Sequence, residues 1–258
     1  MSLFDFNEAE IIAFSLVLVR MSSFVVSWPV FGVSTVPSTI KILFAFVLSI
    51  LTFPVIKWNG LPHDIGSYLM VWLFIREVFI GLSIGFLARF FFFAFGISGQ
   101  IISISMGLSN TQLFNPAIGE RATPIDQFQV MIASLFFLSV NGHHLFLSAL
   151  MDSFDIVPLS QDLISVNSFL SVGEFVEYIM VIGVKLSAPV MIAILIMNLM
   201  MALIGRAVPQ INVLITSLPV NILVGFIILI VSMPIIIGQM DGLLESTGIK
   251  LFQILKSF

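Results

Sequence analysis

The chain has 258 residues, 59% of them hydrophobic and 9% charged, with a mean hydropathy of +1.16 and a formal charge of −4. This composition excludes an ordinary soluble domain and places the chain in the membrane class. The mild acidity without a Lys/Arg cluster argues against nucleic acid as a partner, and the lack of cysteine excludes disulfides, thiolate metal sites and cysteine nucleophiles.

The chain opens MSLFDFNEAE, with acids where a secretory signal would carry positive charge, so the first apolar segment is expected to be retained. Apolar runs fall at about 11–31, 40–56, 67–95, 128–151, 175–204 and 213–240. Each approaches or exceeds the roughly 17–25 residues that a helix needs to cross hydrocarbon. No alternation of ten-residue segments suggests a barrel, so an all-α fold is expected.

The first run carries Arg20 at its middle and Pro29 near its end, and the second ends at Pro54. The third holds the adjacent Arg76 and Glu77, then Gly81 and Gly85 at the small-xxx-small spacing that lets another helix approach, with Ala88 near the same face. Neighbours in sequence point about 100° apart on a helix, so Arg76 and Glu77 are expected to be poor partners for each other. A charge at a bilayer centre costs roughly 2.5–3.5 kcal/mol, and Arg20, Arg76, Glu77 and Lys185 therefore imply protein neighbours or water.

The stretch SMGLSNTQLFNPAIGERATPIDQ, Ser105 to Gln127, interrupts the hydrocarbon pattern. Gly107, Pro116, Gly119 and Pro124 break regular structure, while Ser109, Asn110, Thr111, Gln112 and Asn115 add uncharged polarity. The fourth run contains His143 and His144, whose adjacency diverges on a helix and lacks the i,i+4 spacing of a zinc site. The fifth carries Lys185, Pro189 and the methionines Met197, Met200 and Met201; the sixth carries Pro219 and Pro234. Prolines inside these runs predict broken or kinked helices.

No GxSxG, SxxK or GxxxxGK pattern is present, and Glu120 with Asp126 reads as a pair of solvated loop acids. The sequence therefore gives no catalytic residue, no metal site and no cofactor. A secondary transporter built from broken helices is the alternative reading, although no clear inverted repeat is visible.

Residue by residue, the chain resembles the FliR/SpaR-like export-gate family of flagellar and virulence type III secretion. The resemblance begins with Arg20, WPVFG from Trp28 to Gly32, Val36-Pro37, Lys41 and Pro54. It continues through Glu77, Gly81, Gly85, Gly99-Gln100, Met106-Gly107-Leu108, Asn115-Pro116, Gly142-His143-His144, Ser153-Phe154 and Pro158. The C-terminal part is the most specific: Lys185, Ala188-Pro189, Asn198, GRAVPQIN from Gly205 to Asn212, Leu218-Pro219 and Gly225. The departures are Asn115, where family members often have Asp, and Ser217, where they often have Gly.

The resemblance implies kinked helical hairpins in two parts, a FliP-like part over 1–173 with a plug loop at about 105–127, and a FliQ-like hairpin over 174–258. It implies a non-enzymatic subunit that forms with FliP and FliQ the channel for unfolded flagellar proteins. FlhB and FlhA are further expected partners. The location implied is the basal body at the bacterial inner membrane, with the assembled complex largely on the periplasmic side. The plug residues it implies are Met106, Gly107, Leu108, Leu113, Phe114, Asn115 and Pro116. Arg20, Arg76, Glu77 and Lys185 become candidates for intersubunit pairs, and Arg206, Pro209, Gln210 and Asn212 for contact with FlhB.

Overall fold

A computed structural model describes residues 8–29, 36–56, 67–109, 123–159, 167–210 and 212–257. Among the described residues the chain is all-α, as expected. Seven helices run in order: α1 Glu8–Ser27, α2 Ser38–Thr52, α3 Ser67–Met106, α4 Pro124–Ser139, α5 Gly142–Ile156, α6 Asn167–Ala207 and α7 Val213–Ser257. Four of them, α1, α3, α6 and α7, are long and apolar enough to cross a membrane. At 15 residues, α2 falls short of the length required.

The expected fourth run is not one helix. It divides at Asn141, which adopts the left-handed conformation with φ 55° and ψ 32°. Asparagine tolerates that region better than other non-glycine residues, so the Asn-Gly dipeptide ends α4 and opens α5 where hydropathy alone shows continuity. The prolines do not break their helices. Helix α6 continues through Pro189, and α7 through Pro219 and Pro234. Each still lacks an N–H, which leaves the carbonyls of Lys185, Ile215 and Ile230 without their usual helical donors.

The chain forms two compact units, each discontinuous in sequence. The first comprises Met1–Phe90, Asn141–Phe175 and Glu245–Phe258. Helix α1 buries Ala13, Leu16, Val17, Arg20, Met21, Phe24 and Val25, the three-and-four spacing of one helix face. That face meets α3 with the backbones in contact. A Cβ at Gly81 would overlap the Arg20 carbonyl, and one at Gly85 would overlap the Ser27 hydroxyl. Ala88, one turn on, is fully buried, so the small-residue spacing does bring a second helix close.

Other contacts complete this unit. Trp28 stacks on Phe24 with centroids 5.1 Å apart, and the Arg89 Nε donates to the Ser27 carbonyl at 2.6 Å, satisfying one open acceptor at the end of α1. The polar-looking C-terminus is helical because Leu243, Leu244, Thr247, Leu251, Ile254 and Leu255 recur on one buried face. The last of these residues pack within the first unit, where Gly248 lies against Leu145 of α5.

The second unit comprises Phe91–Val140 and Val176–Leu244. Its core gathers Ile102 and Met106 of α3, Ile125 of α4, Val190 and Ile194 of α6, and Leu229 of α7. Helices α3 and α4 lie close and antiparallel, since a Cβ at Gly99 would overlap the Asp126 backbone, while Gly96 faces Val130.

Candidate functional site

The polar stretch leaves α3 and returns to α4 within the second unit, and both its ends are held. At the exit, the Leu108 N–H donates to the Ser103 carbonyl at 3.0 Å and the Gly107 N–H to the Ile104 carbonyl at 3.0 Å. With Gly107 at φ 82°, this is the paired-bond helix terminus that glycine adopts without steric cost. At the return, Pro124 occupies the first turn of α4, where its missing N–H would have no helical acceptor.

A side-chain bond joins the two ends. The hydroxyls of Ser103 and Thr123 lie 2.7 Å apart, and both residues are buried. Met106 is fully buried with its thioether chain seated against Gly225 of α7, at a distance that a Cβ on that glycine would violate. Leu108 packs against the same core. Of the expected plug residues, Met106, Gly107 and Leu108 thus form an anchored base, while Leu113, Phe114, Asn115 and Pro116 lie outside the described residues.

The buried charges form a second constellation, inside the first unit. Arg20 donates to Glu77 through Nε (2.5 Å to Oε2) and Nη2 (3.1 Å to Oε1). Its Nη1 reaches the carbonyl and hydroxyl of Ser153 at 2.9 and 3.1 Å, its Nη2 the Val157 carbonyl at 3.0 Å, and its guanidinium lies 4.1 Å from the Phe154 ring centroid. Every nitrogen of this buried cation is engaged.

Arg76 departs from expectation. Although adjacent to Glu77, it donates to that carboxylate at 2.6 Å, because its long side chain swings the guanidinium across the backbone divergence. The same Nη2 approaches the carbonyls of Pro158 and Leu159 at 3.2 and 3.1 Å, while Nε and Nη1 are buried without partners. Arg20, Glu77 and Arg76 therefore find one another within the chain, while Arg76 keeps two buried nitrogens that a neighbouring subunit could engage. Arg20 lies on the buried face of α1, with residues at the three-and-four spacing around it, a signal that sequence reading did not use.

Lys185 stands apart from this cluster. It is exposed on α6 and borders a groove with Gln239 of α7. The candidate contact residues Arg206, Pro209, Gln210 and Asn212 are all exposed at the turn between α6 and α7. Asn212 has a local duty as well: its Oδ1 accepts from the Ile215 N–H at 3.4 Å and its carbonyl from the Thr216 N–H at 3.1 Å, which caps α7. Gly205 permits the close return, for a Cβ there would overlap Val213.

Farther along this hairpin, the Asn221 amide donates to Asn198 Oδ1 at 2.8 Å. Sequence reading singled out Asn198 and missed Asn221, although two amides placed about equally far from one turn are the signal that would have found it. The histidine rings of His143 and His144 meet edge to face at 4.3 Å, and no cluster of metal-ligating side chains occurs among the described residues.

The sequence profile of a family described as bacterial export proteins, family 1, matches residues 11–247. The chain is 35% identical over 233 residues to the flagellar biosynthetic protein FliR of Bacillus subtilis (strain 168), covering 87% of each chain. It is 30% identical over 239 residues to FliR of Aquifex aeolicus (strain VF5), covering 92% of this chain and 91% of the other. With FliR of Escherichia coli (strain K12) it shares 28% identity over 219 residues, covering 85% and 83%.

Proposed function

The chain belongs to the bacterial export proteins, family 1, and from that membership we propose that it is a gate subunit of the flagellar protein-export channel whose Ser105–Gln127 stretch closes the path. It is a membrane-embedded component of the flagellar export apparatus, in keeping with its four long apolar helices. In this reading it assembles with FliP and FliQ at the inner membrane, largely on the periplasmic side, and unfolded flagellar proteins pass through. It performs no catalysis. The part up to residue 173 is FliP-like, the rest a FliQ-like hairpin whose turn, Arg206 to Asn212, meets FlhB, with FlhA nearby.

The observation that carries the closing role is the double anchorage of the stretch. A closing segment needs a firm base and a span that can move, and the Ser103–Thr123 bond, the Gly107 terminus and the Met106–Gly225 seat supply the base. The residues between Ser109 and Thr123 are uncharged except for Glu120 and Arg121, and so can be wetted without binding substrate by charge. Met106 and Leu108 accordingly belong to the mounting, and the residues from Leu113 to Pro116 to the stopper.

The test is a deletion of Asn110–Pro116 that leaves both anchors intact, with ion permeability measured in cells expressing the assembled complex. Raised permeability is expected. An assembled complex that stays tight would overturn the closing role.

A further inference from the structure

Close contacts fix the levels of four helices inside the second unit. Helices α3 and α4 run antiparallel, with Gly99 against Asp126 and Gly96 against Val130. Helix α6 meets α3 where Gly183 lies against Ala94 and Ile97, and α7 meets it where Gly225 lies against Met106. Ile102, Ile125, Val190 and Leu229 gather in the shared core, so they form one apolar layer to which all four helices contribute.

One turn farther from the Met106 seat the side chains become polar. A step of three or four residues along each helix reaches Ser98 on α3, Gln129 on α4, Ser187 on α6 and Ser232 on α7. All four are buried, Ser98 completely and Gln129 to 2% exposure. Ser187 and Ser232 donate to carbonyls of their own helices, those of Val184 and Leu229, and each hydroxyl oxygen can still accept. The Ser98 hydroxyl and both amide atoms of Gln129 have no hydrogen-bond partner among the described residues. The same holds for Oδ1 of Asp126, three residues before Gln129 on α4.

Room at this level follows from side-chain size. The neighbouring layer is filled by Ile102, Val190 and Leu229, whereas the same three helices supply serines here. Toward α6 and α7, a groove of about 270 Å³ has Leu186 and Ser232 in its wall. Buried polar groups that find no protein partner are ordinarily met by internal water, which needs two to four such groups around it.

We propose that this layer is a hydration site, with internal water bound between Ser98 and Gln129 and reaching Asp126. The water donates to Gln129 Oε1 and Asp126 Oδ1, and it accepts from the Gln129 amide. The Ser98 hydroxyl turns to serve as donor or acceptor. A cation would suit the carboxylate but would face the amide N–H, whereas water suits donors and acceptors alike. Helix α4, which carries the return end of the Ser105–Gln127 stretch, thus borders water one turn below its apolar contact at Ile125. The site rests on packing and hydrogen bonding, whether or not that stretch closes a path.

The test is a density map of the purified complex containing the full chain, at a resolution that shows ordered water elsewhere in the assembly. Peaks are expected about 2.7–3.2 Å from the Ser98 hydroxyl and the Gln129 amide. Ser98→Ala should remove or displace the peak on that hydroxyl, and Ser98→Ala with Gln129→Met should remove the peaks altogether. No peak in the wild type, or peaks unmoved in the double variant, would overturn the proposal. A peak held by oxygens at about 2.3–2.6 Å would mark a cation and overturn it as well.

Discussion

Arg20 and Glu77, 57 positions apart, meet through two hydrogen bonds with neither side chain reached by solvent. The backbones of α1 and α3 approach this closely only because Gly81 lies one turn beyond Glu77 against the Arg20 carbonyl. Packing and charge pairing thus depend on the same pair of helix faces, and the pairing holds α5 too, through Ser153.

Removing the carboxylate alone should be costly. Glu77→Leu leaves the Arg20 and Arg76 guanidinium groups buried without their anion, a change expected to destabilise the folded chain by about 3–5 kcal/mol. Arg20→Met combined with Glu77→Leu should be milder than the sum of the single changes, because no charge of the main pair is stranded. Thermal unfolding of the purified complex checks both. Additive losses would show that the pair is not coupled.

The Met106 seat predicts a compensating pair. Gly225→Ala introduces a methyl group where the thioether chain lies, and overpacking of this kind costs about 1–3 kcal/mol. Met106→Ala should relieve the clash, so the double variant should lose less than the two separate losses combined. Denaturation midpoints of the three variants decide it, and a Gly225→Ala variant as stable as wild type would contradict the seat.

The Ser103–Thr123 bond predicts a looser base. Thr123→Val keeps the volume but leaves the buried Ser103 hydroxyl without this partner, at about 1–3 kcal/mol. Limited proteolysis should then cut between residues 109 and 122 faster than in wild type, while Ser103→Ala with Thr123→Val should recover part of the protection. Identical cutting rates in wild type and Thr123→Val would show that the bond does not hold the base.

At the hairpin turn, Asn212→Ala should cost about 1 kcal/mol by removing the cap of α7, whereas Asn212→Asp should cost much less. Gln210 makes no such contribution, so Gln210→Ala should leave stability within about 0.5 kcal/mol while weakening any crosslink to FlhB formed from this turn. Loss of stability on Gln210→Ala would show that the residue serves the fold.

The helices were legible where one physical signal dominates. Apolar length gave most of them, and the glycine spacing at Gly81 and Gly85 gave a close helix approach, though not that α1 makes it. The break at Asn141 was hidden because hydropathy averages over a single backbone inversion. Beyond Met240 the helix came only from the resemblance, since its polar residues end the apolar run while Leu243, Leu251 and Leu255 preserve the buried face. Four charges were recognised as needing partners, but spacing along one helix says nothing about a side chain arriving from another. Hence Arg76 with Glu77 was misjudged, and the union of Glu77 with Arg20 went unseen. Thr123 was invisible for the same reason, since its partner Ser103 lies across the stretch that separates α3 from α4.

The hydrogen bond from the Asn221 amide to Asn198 has a mechanical consequence. Smooth apolar helices can slide along each other with little change in contact, but a slip of one turn here would part the two amides and leave them among apolar neighbours without each other. The hairpin is therefore keyed to a single axial setting. A push delivered at Arg206–Asn212 would move α6 and α7 together as a rod, and the force would reach their packed faces as a shift of the whole hairpin.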